Sequence, residues 1–376
     1  MSRIGLLVSL TAPTRGAVED VVVALLERLD PGAFRLALAA PAPLLDSVAG
    51  DLHGVPLDIE AVQADSWLRR RDVARLSAFI RRVRPHVVVT HAPHATLVAA
   101  PLAKWERARV IATTHGRDES RGRLMPCRMM ARFVDRAIAV SEAARARLVA
   151  AGFPADRIAV VPNGRDLSTL RPGIGRDTVR RELGLDRTVP LVGVVGCLEP
   201  RMGHAALFDA WPSIVTEFPA ARLLVIGDGS LRARLEARAR ELGVADRVIF
   251  VGARTDVARL LDGVDLLALP SMAEGQALSA IEASALGRPV VATAIDAMPE
   301  VIREARTGRL VPPGDPAALS RAIRGVLRDP LGAQRMGRAG RDFVLDRFSL
   351  ERQVASTARV YREVAGTLRR ALPRAA

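Results

Sequence analysis

Lysine is nearly absent from this chain: Lys104 is the only one, so arginine carries a formal net charge of +14. A guanidinium stays charged at any physiological pH and meets flat oxyanions through paired hydrogen bonds. The bias favours phosphate partners, whether nucleotides, anionic lipid head groups or nucleic acid. Aromatic residues are also scarce, at 3%. Nucleic-acid binding uses a groove-reading motif or aromatic stacking platforms, and neither is present, so no nucleic-acid partner is expected. The two cysteines, Cys127 and Cys197, stand in no metal or redox spacing and suit a reducing compartment. No apolar run approaches the ~18–20 residues that cross a bilayer. Ile4–Leu10 behind Arg3 has the look of a signal-peptide core, but a glycine loop and a helical pattern follow at once, which makes it a buried first strand. The expected location is cytoplasmic, and the positive charge suits peripheral contact with an anionic inner membrane face.

With so few aromatics, Leu, Val, Ile and Ala must do the packing. Hydrophobic residues make up 49% of 376, enough for two cores, and the length suits two domains. The most informative stretch is Leu266–Thr293. Leu266–Leu269 is a short apolar run, the mark of a buried strand, ended by Pro270 and Ser271. A glycine loop with Glu274 and Gly275 follows, then a helix to about Leu286, stopped by Gly287 and Pro289. Val290–Thr293 is the next strand. A helix start offers unpaired N–H groups and partial positive charge to an anion. Gly275 lets the backbone approach a ligand closely. Carboxylates are poor partners for phosphate but good acceptors from sugar hydroxyls. The layout suits a ligand with a charged middle and hydroxyl-rich ends, such as a nucleotide sugar.

Glu274 and Glu282 form an E-x7-E pattern. Around it stand Pro270-Ser271, Glu282-Ala283, Gly287-Arg288-Pro289-Val290-Val291-Ala292, Pro299-Glu300-Val301 and Gly308 through Asp315. In order and spacing this set resembles the retaining nucleotide-sugar glycosyltransferases of family 4. The resemblance implies an α/β fold of two facing Rossmann-like α/β/α domains with an interdomain cleft, the GT-B type. Residues 1–168 are then an acceptor-side domain, joined by a C-terminal helix at about 352–376, and residues 189–351 bind the donor. The stretch rich in proline, glycine and charge over 169–188 is expected to be the linker. By resemblance, Glu282 holds the donor ribose hydroxyls. Glu274 and the backbone of Gly275, Gln276, Ala277 and Leu278 hold the donor sugar and phosphates. Gly227, in Gly227-Asp228-Gly229, lies beside the nucleotide, and Gly252 and Arg254 flank the base.

In the first half, Gly16 follows the first strand, where the family has a glycine-rich turn near the donor phosphates. Arg15 stands where a second glycine is common. Leu68–Arg84 has the period of an amphipathic helix, with Leu76, Ile80 and Val83 on one face and Arg75, Arg81 and Arg82 towards solvent. A solvated basic face is the favoured reading, and a membrane-touching helix the sharper one. His91, His94 and His115 follow strand-like runs. Without a carboxylate or cysteine at ligand spacing they make no metal set, and no Asp-x-Asp motif occurs, so no metal cofactor is expected. Thr114-His115-Gly116 matches the family's acceptor-side motif, which implies that His115 faces the transferred sugar. His115 and Glu274 are the expected catalytic pair. Pro162-Asn163-Gly164-Arg165-Asp166 matches the Pro-Asn-Gly-x-Asp that closes the family's first domain.

The main departure is Gly196-Cys197-Leu198-Glu199-Pro200-Arg201-Met202-Gly203. The family has arginine at the Cys197 position and lysine at the Met202 position, which hold the diphosphate. Charge develops on that leaving group, and preorganised positive charge is the expected source of transition-state stabilisation. Arg201, next to Met202, is the candidate replacement, with Arg15 as a helper. The resulting expectation is transfer of a sugar from a nucleotide diphosphate sugar to an acceptor hydroxyl on a carbohydrate or lipid-linked acceptor, in cell-surface polysaccharide or glycolipid synthesis. The alternatives are a non-catalytic or weakened glycosyltransferase-like subunit and a nucleotide-sugar epimerase on the same fold.

Overall fold

The computed structural model describes residues 3–62, 70–115, 130–273, 275 and 278–371. The expected site residues Glu274, Gln276 and Ala277 lie outside the described residues, as do Gly116 and Cys127. The chain forms two units: residues 1–164 with 350–376, and residues 165–349.

The first unit has a sheet of seven parallel strands, ordered β3-β2-β1-β4-β5-β6-β7. They are β1 Ile4–Ser9, β2 Phe34–Ala40, β3 Leu57–Ala61, β4 Val87–Thr90, β5 Arg109–Thr114, β6 Arg136–Ala139 and β7 Ile158–Val160. Its helices are α1 Ala17–Arg28, α2 Ala42–Val48, α3 Arg70–Val83, α4 Pro93–Trp105, α5 Glu142–Ala150 and the C-terminal helix Leu350–Ala371. Side chains alternate across a strand, so each β1 residue goes to one of two cores. Leu6 and Val8 pack with Tyr361 and Val364 of the C-terminal helix, while Leu7 packs with Phe79 and Ile80 of α3. A sheet buried on both faces needs unbroken apolar strands, which is what the central strands β1 and β4 are. Ser141 caps α5 by accepting the Ala144 N–H at 3.0 Å. The apolar face of α3, Leu76, Phe79, Ile80 and Val83, is buried in its own unit, and Arg81 and Arg82 are exposed. Helix α4 has no clear sequence signal, because Pro101 lies inside it and Ala95, Ala99, Ala100 and Ala103 bury most of its girth.

The second unit has six parallel strands, ordered β10-β9-β8-β11-β12-β13. They are β8 Leu191–Val195, β9 Arg222–Ile226, β10 Val248–Gly252, β11 Leu266–Leu269, β12 Val290–Thr293 and β13 Gly308–Val311. Around them lie α6 Arg176–Glu182, α7 His204–Glu217, α8 Arg232–Glu241, α9 Val257–Gly263, α10 Leu278–Ala285, α11 Met298–Val301, α12 Pro316–Arg328 and α13 Pro330–Arg347. Helix α11 stops at Val301, and the turn after it holds Ala305 at φ of 59°.

The expected linker over 169–188 is corrected. This stretch contains α6 and belongs to the second unit, whose first residue is Arg165. Its charge is structural. Arg180 is 1% exposed and donates to the carbonyls of Gly263 at 3.0 Å and Val189 at 2.8 Å, and to Asp265 at 2.8 Å. A buried guanidinium that fills its donor positions with carbonyls is an anchor, and composition alone cannot tell it from a solvated linker residue.

Candidate active site

In each sheet the strand order reverses at one place, between β1 and β4 and between β8 and β11. Loops leaving the carboxyl ends of the strands diverge there, and such crevices hold ligands in open α/β sheets. In the second unit the diverging loops are the β8–α7 segment and the β11–α10 segment, the two that the sequence singled out.

These loops are tied together through backbone. Met272 N–H donates to the Arg201 carbonyl at 2.8 Å. Gly203 sits at φ of 66°, and a Cβ on it would lie 1.9 Å from the Pro270 carbonyl oxygen, so only glycine fits. On the other side, Leu198 N–H donates to the Asp228 carbonyl at 2.9 Å, and Ser230 binds Glu199 through N–H at 3.1 Å and hydroxyl at 2.9 Å. These Ser230 bonds hold the Glu199 carboxyl below the usual carboxylate range. Gly227 N–H donates to the Gly252 carbonyl at 2.8 Å. Gly227, Gly252 and Arg201 thus belong to one run of loops above β10, β9, β8 and β11.

Arg201 lies across both uncharged positions. Its Nη2 is 3.4 Å from Cys197 Sγ and its Nη1 is 3.5 Å from Met202 Sδ. Met202 is buried and Cys197 exposed. Gly275 lies in the turn before α10, and Leu278 is its first residue. Glu282, one turn on, is 8% exposed. It is not bare: Arg165 Nε and Nη2 both reach its Oε1, at 2.7 and 2.6 Å. Arg165 was missed as a site residue. It is 117 positions from Glu282, and no local pattern links the two. Arg254 makes a two-pronged pair with Asp256 at 2.8 and 2.9 Å. With Arg259 it holds the Asp256 carboxyl well below the usual range.

In the first unit, Gly16 caps α1, and its N–H donates to Glu19 Oε2 at 3.0 Å. Burial raises the Glu19 carboxyl. Arg15, expected as a helper, is engaged by Asp20 at 2.6 Å and Asp51 at 2.5 Å. His115 follows β5, and His91 follows the neighbouring β4. Their rings lie nearly parallel, 5.2 Å apart at 26°, with His91 Nδ1 2.9 Å from His115 Nε2. Burial pushes His115 down to about 4 and His91 well below its usual value, where His115 adds repulsion. Among the described residues no group of His, Cys, Asp and Glu is placed to hold a metal.

Two family models match most of the chain. Residues 18–169 match the family described as Glycosyltransferase Family 4, and residues 175–343 match Glycosyl transferases group 1. A GDP-mannose-dependent alpha-(1-6)-phosphatidylinositol monomannoside mannosyltransferase of Mycolicibacterium smegmatis is 33% identical over 264 residues, covering 65% of this chain and 68% of that protein. The chain belongs to the family 4 glycosyltransferases. A second relative of this glycosyltransferase chain, a D-inositol 3-phosphate glycosyltransferase of Mycobacterium marinum, is 37% identical over 219 residues, or 56% of this chain and 46% of the relative. The chain spans about half the length of the curated relatives it first matches. In fold, this family 4 chain is similar to Anabaena HepE, solved in complex with UDP and glucose. The TM-score is 0.85 at 20% identity, covering 96% of this chain and all of that one (100%). The sucrose-phosphate synthase of Thermosynechococcus elongatus gives a TM-score of 0.82 at 22% identity, covering 97% and 100%.

Proposed function

We propose that this chain moves a sugar from a nucleotide diphosphate sugar to a hydroxyl of a carbohydrate or lipid-linked acceptor, with retention at the transferred carbon. The sugar–phosphate bond breaks, the acceptor oxygen takes its place on the sugar carbon, and the acceptor's proton leaves with the nucleoside diphosphate. The observation that carries this reading is the position of Arg201 over Cys197 and Met202, on a loop tied to the turn before α10. A guanidinium there supplies the charge that the leaving diphosphate needs, as a flat donor suited to phosphate oxygens. It favours a working transferase over a non-catalytic subunit.

The remaining roles follow from the family resemblance. Glu282 takes the ribose hydroxyls. Glu274 and the backbone of Gly275, Gln276, Ala277 and Leu278 take the sugar and phosphates. Gly16, Gly227, Gly252 and Arg254 border the donor, His115 faces the transferred sugar, and no resident metal takes part. Relatives named for phosphatidylinositol mannoside and inositol phosphate, together with the net charge of +14, support a glycolipid or cell-surface acceptor met at the cytoplasmic membrane face.

Native mass spectrometry of the purified chain with UDP-glucose, GDP-mannose and related donors tests the first step. One donor is expected to stay bound and to release its nucleoside diphosphate when an acceptor is added. A chain that retains a donor but turns over with no acceptor of a broad panel is a binding subunit. One that isomerises the donor without an acceptor is an epimerase.

A further inference from the structure

The imidazoles of His91 and His115 are in direct contact, although the sequence shows them only as two of several histidines near strand ends. We propose that His91 is a positioning residue that fixes the tautomer and orientation of His115. This rests on the reading of His115 as the residue that faces the transferred sugar.

His91 is 8% exposed, and the cavity it shares with His115, Thr113, Asn163 and Tyr361 measures about 10 Å³. That is room for a water at most. His91 Nδ1 is taken by His115 and its Nε2 is buried, so His91 acts on His115 and not on a ligand. Its own placement is firm. Thr90 Oγ1 meets Thr96 Oγ1 at 2.6 Å, and Thr96 Oγ1 donates to the Ala92 carbonyl at 3.0 Å, which pins the start of α4 to the end of β4 on either side of His91.

The chemistry of the pair is restrictive. Both rings are neutral at physiological pH, so each carries one N–H. The bond between His91 Nδ1 and His115 Nε2 needs one proton, neither two nor none. If His91 Nδ1 donates, the His115 proton must be on Nδ1. If His115 Nε2 donates, the His91 proton must be on Nε2. The two rings therefore always share the same tautomer, and the hydrogen-bonding sense of His115 Nδ1 is decided jointly with His91. Such fixing of a ring by its neighbour determines what a histidine can offer a substrate.

Long-range proton–nitrogen NMR of the ¹⁵N-labelled full chain reads this directly. The chain has 6 histidines, and spectra of His91→Asn and His115→Asn assign the pair. The expected result is that both rings show their proton on Nδ1, or both on Nε2. Opposite tautomers overturn the proposal. Turnover gives the second arm. His91→Phe should lower kcat about 10-fold with donor KM within about two-fold, and His91→Asn, which puts an amide near the Nδ1 position, should restore most of it. Both variants should melt with the wild type. Wild-type kcat in a folded His91→Phe, or no rescue by a folded His91→Asn, overturns the proposal. Full turnover in His115→Ala would instead remove the reading of His115 itself, while the spectra would still decide the pairing.

Discussion

Arg165 grips Glu282 by one oxygen: both Nε and Nη2 converge on Oε1, at 2.7 and 2.6 Å. Arg165 is itself held at its backbone, where its N–H donates to the Phe348 carbonyl at 2.9 Å. The carboxylate expected to receive the ribose is thus set by a residue at the first position of the unit and braced by the last turn before its end.

Replacing Arg165 by alanine should raise donor KM and leave kcat nearly unchanged, because binding and not chemistry is disturbed. It should also lower stability by roughly 1–3 kcal/mol, the range for a buried acceptor left unpaired, with the low end favoured because the Arg165 side chain is 32% exposed. Steady-state kinetics and urea melts check this. An unchanged donor KM would separate Glu282 from donor binding.

Arg201→Ala should lower kcat roughly 100- to 1,000-fold, the effect of removing one charge-stabilising donor. A cation restored at the family's position, Cys197→Arg in the Arg201→Ala background, should recover a large part. Cys197 is exposed, so the longer side chain has room. Full turnover in Arg201→Ala would falsify the assignment of phosphate charge to this residue.

His204 lies buried at the start of α7, with neither ring nitrogen partnered among the described residues. Burial lowers it from 6.5 to about 4. Its folded value lies below its unfolded one, so the unfolded chain binds more protons between these values. The stability it permits is present above pH 6.5 and is lost as pH falls towards 4. Wild type should lose about 2 kcal/mol more between pH 7 and pH 4.5 than His204→Leu does. Urea melts at the two pH values decide it, and parallel losses in the two proteins would refute it.

Gly203→Ala should destabilise more than Gly173→Ala. Both positions have positive φ, 66° and 82°, which costs roughly 1–2 kcal/mol for alanine. Only at Gly203 does the new Cβ also meet a backbone oxygen, that of Pro270 at 1.9 Å, whereas nothing lies within 4 Å at Gly173. Gly203→Ala should in addition raise donor KM by parting the two loops. Equal melting shifts in the two variants would show that the loops are not locked as described.

The elements were largely legible in the sequence where burial on both sheet faces forces a continuous apolar run. Leu266–Leu269 and Val290–Thr293 have the expected bounds. Helix α6 was not legible, because Arg176 and Arg180 look solvated until Asp265 and the carbonyls around them are in place. Arg201 was legible as a candidate, since a missing charge next to a present one is a local pattern.

The sequence by itself determined the two doubly wound halves, the family and the loops proposed to meet a donor, because periodicity, turn residues and short motifs act over a few positions. Only the tertiary structure decided what those side chains touch: Arg165 on Glu282, His91 on His115, and Arg15 held by Asp20 and Asp51. Charges and ring nitrogens choose partners by distance in space, and parallel strands joined by long crossovers bring distant positions together without leaving a mark in local order.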